Sequence, residues 1–78
     1  MPPARTLARP AVIRGQVLRH GYEVATIADV DHHLRGLRRW LCASIDKAPE
    51  FEMSYFERYA ADVDVLLDAR IALMGLGG

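Results

Sequence analysis

From Thr26 onward the apolar positions fall on a helical period. Ile27, Val30, Leu34, Leu37 and Leu41 follow one another at gaps of 3, 4, 3 and 4, the seam of a helix that packs against another helix. Thr26 and Asp29 stand three residues apart ahead of that seam, a capping-box-like start. In such a box the hydroxyl accepts an orphan backbone N–H and the acid complements the helix dipole. Trp40 and Ile45 flank the seam, Arg38 lies beside it, and His32, Arg35 and Arg39 occupy the opposite face. A helix is expected over about residues 27–46. Pro49 ends it, because Pro49 disfavours helical geometry at Ala48 and cannot donate a backbone hydrogen bond.

A second start signal follows at Ser54, with Glu57 three residues on, and predicts a helix over about 55–74 that stops at Gly75. At about 100° per residue, Tyr55, Phe56, Tyr59, Ala60, Val63, Leu66, Leu67, Ile71, Leu73 and Met74 share one broad face. Glu57, Asp62, Asp64 and Asp68 fall on the other. A face that wide exceeds what one narrow seam covers, so either the N-terminal segment folds over it or a second copy does. Arg70 projects near the middle of that face, where an unpaired charge is costly, and is expected to pair with Asp31 or Asp46.

The first 25 residues are less regular. Residues 1–10 hold Pro2, Pro3, Pro10, Arg5 and Arg9 and read as a flexible basic arm. Ala11 to Leu18 fits a short helix opening at Pro10 with Gly21 as its cap. It also fits an extended segment, with β-branched Val12, Ile13, Val17 and Val24 and a tight turn at Gly15. The short helix or irregular segment is preferred, since the apolar residues keep neither period. The fold expected is therefore all-α: an antiparallel helical hairpin of two long helices behind a short N-terminal helix or irregular segment. Residues 11–78 form its single small domain, completed as a dimeric helical bundle.

Charge adds a second pattern. The net charge is zero, yet residues 1–40 carry seven arginines against three acids, while residues 41–78 carry three cations against seven acids. A chain of 78 residues has a thin core and usually needs a staple or a partner. The single cysteine, Cys42, cannot form an intramolecular disulfide and reads as a small, partly buried structural residue. Its solitude favours a reducing, cytoplasmic setting. No apolar run reaches the roughly 18–20 residues of a membrane span, and residues 1–10 lack the apolar stretch of a signal peptide.

No motif for catalysis, a metal or a cofactor emerges. Asp29, Asp31, His32 and His33 cluster, but adjacent histidines on a helix point about 100° apart and do not converge on one ion. Cys42 lies about three turns from either histidine, too far for a thiol and base pair. The terminal glycines read as a frayed tail behind the capping Gly75.

The functional expectation is a small soluble, non-enzymatic protein–protein interaction module, an adaptor, regulator, inhibitor or assembly component, forming a homo-oligomer. Trp40, Tyr55, Tyr59, Leu66 and Arg70 are its candidate interface residues. Arg35 and Arg39 against Glu57, Asp64 and Asp68 form its charged partner surface. The alternative is a nucleic-acid-binding regulator whose N-terminal-half arginines contact phosphate. The acidic second half and the lack of a helix-turn-helix weigh against it.

Overall fold

A computed structural model of the chain describes residues 10–77. It opens with two short strands, β1 (Ala11–Arg14) and β2 (Gly21–Val24), paired antiparallel with Ala11 opposite Val24 and Ile13 opposite Tyr22. The alternation of a half-covered sheet is plain in β2: Tyr22 and Val24 are buried while Glu23 faces out. The loop between the strands closes with Gly15 N–H donating to the His20 carbonyl at 3.4 Å. Arg19 in that loop adopts φ 59°, a left-handed conformation that costs a residue with a Cβ roughly 1 kcal/mol.

Helix α1 (Ile27–Lys47) begins at the Thr26–Asp29 capping box, with both reciprocal bonds made. It ends at Ala48, whose N–H donates to the Ser44 carbonyl at 2.9 Å. A 3-10 turn over Pro49–Phe51 leads straight into α2 (Glu52–Gly77). This start lies three residues before the expected one. Pro49 suits a first helical position and the Phe51 N–H already closes on the Ala48 carbonyl, so Ser54 lies inside the helix instead of capping it. At the other end Gly75 does not stop α2, which continues to Gly77.

The all-α expectation is overturned. Although 73% of the described residues are helical, the segment expected as a short helix with a Gly21 cap is a β-hairpin. The extended alternative forms instead, although residues 15–20 join the strands as a loop and not as a tight turn at Gly15. The hairpin is also integral to the packing: Val17, Tyr22 and Val24 share one buried cluster with Val30, Leu37 and Leu66. The core is thus closed within one chain by sheet and helices together. The expected helical hairpin of two long helices, completed as a dimeric bundle, is not what holds the core.

Besides sharing the buried cluster, the helices meet at two side-chain pairs. Arg70 of α2 lies 3.6 Å from Asp31 near the start of α1. Trp40 of α1 meets Tyr55 near the start of α2, edge to face, with ring centres 5.6 Å apart. The molecule is elongated, with a radius of gyration of 14.4 Å against roughly 11 Å for a compact chain of this length. The basic arm expected over residues 1–10 lies, apart from Pro10, outside the described residues.

Candidate functional site

The inward seam of α2 runs Tyr55, Tyr59, Asp62, Leu66, Ala69 and Leu73, at gaps of 4, 3, 4, 3 and 4. Asp62 is thus a core position occupied by an acid, and its exposure is 0%. Placing it on the solvated face with Glu57, Asp64 and Asp68 is corrected accordingly. Its oxygens are occupied. Oδ1 accepts from Gln16 N–H at 2.8 Å and Oδ2 from Val17 N–H at 2.9 Å, while the Tyr22 hydroxyl donates to Oδ2. One carboxylate therefore ties the β1–β2 loop and β2 to α2. Three donors supply the compensation that a buried charge needs.

Burial, then the hydrogen bond and the negative charge of Asp62, push the Tyr22 phenol well above its ordinary range. The Tyr22 ring lies 5.2 Å, centre to centre, from that of His33, and His33 Nε2 is 3.1 Å from the Glu23 carbonyl. A carbonyl only accepts, so Nε2 carries the proton in this contact. These groups form a packed junction between sheet and helices. Among the described residues no group of three His, Cys, Asp or Glu side chains converges to hold a metal ion.

At the α1 N-terminus, the Asp29 carboxylate accepts from Ala25 N–H at 2.8 Å and Thr26 N–H at 3.1 Å. Those bonds hold its carboxyl below the usual range. This cluster is the helix cap, and it accounts for one of the acids in the Asp29–His33 stretch.

The outer surfaces differ from the junction. On α2, Met53, Phe56, Leu67, Ile71 and Met74 are all exposed, with Ile71 at 67% and Met53 at 75%. Their spacing puts them on the side of α2 away from its inward seam, Met53 and Phe56 near its start and Leu67, Ile71 and Met74 in its second half. Glu57, Asp64 and Asp68 are exposed along one edge of it. On α1, Arg35, Arg38, Arg39 and Cys42, which is exposed and not partly buried as expected, line an open groove of about 500 Å³. A second groove of about 510 Å³ is lined by Trp40, Ala43, Ser44, Asp46 and Lys47.

The residues singled out from the sequence divide between these places. Leu66 is closed inside the core, and Tyr59 packs against it half-buried. Trp40 and Tyr55 form the half-buried aromatic pair at the other end of the helices. Arg70 pairs with Asp31, both side chains about two-fifths exposed. Arg35 and Arg39 stand on α1, and Glu57, Asp64 and Asp68 on α2, as solvent-facing rows. Asp62 was the residue missed. Its signal was the 4-3-4-3-4 register through Tyr59 and Leu66, which a broad helical wheel blurs.

No protein-family model, curated protein or solved structure matches this chain.

Proposed function

We propose that this chain is a small non-enzymatic protein-interaction module whose binding surface is the outer stripe of α2. The observation that carries the reading is the row Met53, Phe56, Leu67, Ile71 and Met74, all exposed on one helix. Exposed apolar residues gathered on one side of a helix mark association sites on small proteins, and acids along one edge supply orientation. The fully buried carboxylate, Asp62, is committed to the fold, which supports a binding role over a catalytic one.

Oxidative footprinting tests this. Met53 and Met74, at 75% and 52% exposure, oxidise readily in the dilute purified chain. In concentrated extract of the cells that make the protein, both are protected, and the pair Leu67→Asp and Ile71→Asp removes the protection. Equal oxidation rates in the two settings sink the proposal.

The second reading, phosphate contact by nucleic acid, draws on the groove formed by Arg35, Arg38 and Arg39. It predicts salt-sensitive retention on DNA or RNA. The absence of retention at low salt removes it.

A further inference from the structure

The bond from Gly15 N–H to the His20 carbonyl fixes which way the backbone groups of the hairpin point. In an antiparallel pair, residues that exchange hydrogen bonds alternate with residues that do not. The register from Ala11 opposite Val24 to Arg14 opposite Gly21 continues to Gly15 opposite His20, so Ala11, Ile13 and Gly15 bond across the hairpin. Val12 and Arg14 then turn their N–H and C=O groups away from β2. Glu23, opposite Val12, keeps the same parity: its carbonyl points out of the other edge and meets His33 Nε2 at 3.1 Å. The β2 edge therefore lies against α1. The β1 edge has no such cover. Among the described residues no further strand pairs with it, and no turn or side chain bonds to the backbone of Val12 or Arg14. Ala11, Val12 and Arg14 are all exposed, Val12 at 59%.

A row of outward N–H and C=O groups is a template for an added strand. In strand addition the backbone bonds give affinity and alternate side chains give specificity. Val12 and Arg14 share the outward face of the hairpin with Glu23 and Gly21. Arg14 stands opposite Gly21, which has no side chain to meet it, and Glu23 is only its diagonal neighbour, roughly 7–8 Å away. The one ion pair among the described residues is Asp31–Arg70, so Arg14 has no acid of its own. A residue directly opposite Arg14 on an added strand lies roughly 5 Å away, and an acid there completes the pair. Opposite Val12 a β-branched residue packs best. The residue between them falls beside Ile13, on the face that packs on the core, and an apolar side chain suits it.

We propose that the open edge of β1 binds an extended segment of another protein, added antiparallel, with an acid opposite Arg14 and a β-branched residue opposite Val12. Read along the partner, the sequence is acid, apolar, β-branched. Charge complementarity selects this occupant. A second copy of β1 brings no acid, since Ala11–Arg14 holds only the cation Arg14, and antiparallel self-pairing sets both arginines on one face. Residues 1–9 carry Arg5 and Arg9 and no acid. Four backbone bonds on a four-residue strand make a reversible contact, with Kd on the order of 0.1–1 mM. The edge belongs to the hairpin and owes nothing to the exposed row of α2, so this proposal and the reading of that row stand or fall separately.

Fluorescence anisotropy of a fluorescein-labelled peptide, Gly-Thr-Glu-Val-Val-Thr, titrated with the full chain tests it. The wild type is expected to bind. N-methylation of the glutamate and the second valine, whose N–H groups face β1, weakens binding by about tenfold. N-methylation of the first valine, whose N–H faces away, leaves it unchanged. Arg14→Glu weakens binding by about fivefold, and a peptide with lysine in place of glutamate recovers it on that variant, which separates the charge pair from any loss of fold. No binding at millimolar chain overturns the proposal. So does a cost of methylation that is equal at all three positions, or a lysine peptide that gains nothing on Arg14→Glu. Tighter binding of a peptide of residues 1–9, or a dimer in sedimentation that the acidic peptide dissolves, assigns the edge to the chain itself and overturns the choice of partner. Protection of Met53 and Met74 reads α2 alone and is unaffected by either result.

Discussion

Tyr22 donates its phenolic proton to Asp62 across the boundary between β2 and α2, with both side chains closed to solvent. The pair joins segments forty residues apart in the chain. Asp62 also accepts the Gln16 and Val17 amides, so the position of the β1–β2 loop depends on one carboxylate.

Removing that carboxylate is expected to be severe. Asp62→Ala leaves two backbone N–H groups and a phenol without their acceptor, at a cost of about 3 kcal/mol or more when each lost partner costs about 1–3 kcal/mol. A chain of this length has only roughly 4–12 kcal/mol in total. Asp62→Asn keeps one acceptor oxygen and should lose less. Urea unfolding followed by circular dichroism ranks the three proteins; equal midpoints for wild type and Asp62→Ala contradict the account.

Tyr22 makes the same junction sensitive to alkali. Its phenol is raised above the ordinary value, so the folded protein keeps a proton that the unfolded chain loses near pH 10. That contribution is complete below about pH 10 and disappears as pH rises toward the folded value. Wild-type stability should therefore fall above about pH 10 more steeply than that of Tyr22→Phe. While both remain folded, the two should give the same tyrosinate absorbance. Extra absorbance from the folded wild type would show that Tyr22 ionises freely.

The sequence made α1 legible almost residue by residue, since the 3-4 seam from Ile27 to Leu41 and the Thr26–Asp29 box are local signals. It also made Arg70 legible, because a cation in an apolar face needs a partner and Asp31 was one of two within reason. The β-hairpin was not legible for a physical reason. Four-residue strands carry little periodicity, and what selects strand over helix at Val12 and Ile13 lies in the tertiary contacts of Tyr22, Val17 and Asp62. Asp62 itself was obscured because an acid on a helix is assigned to solvent unless its buried donors are known. The exposed stripe of α2 was half legible: its width was evident, but which part the sheet covers was not.

At the start of α1, Asp29 predicts the acid limb. Its carboxyl is held below the usual range by the Ala25 and Thr26 amides. A depressed folded value stabilises above the unfolded value, about pH 3.9, and the contribution is lost as pH falls through the folded one. The gap in thermal midpoint between wild type and Asp29→Asn should be full at neutral pH and shrink as pH drops below about 4. A gap independent of pH would mean that the carboxylate charge plays no part in the cap.

Gly15 and Gly36 predict opposite outcomes for the same change. A Cβ on Gly15 would stand 2.6 Å from the Tyr22 hydroxyl oxygen and closer still to the ring. Gly15→Ala must therefore displace the ring that reaches Asp62, and overpacking of this kind costs about 1–3 kcal/mol. Gly36 lies inside α1 with nothing within 4 Å of the added atom. There alanine only reduces the freedom of the unfolded chain and improves helix propensity, so Gly36→Ala should add about 0.5–1 kcal/mol. Parallel urea titrations should move the two midpoints in opposite directions. If both fell, α1 would be constrained at Gly36 by packing that its surroundings do not account for; if both rose, the Tyr22 ring could not lie over Gly15.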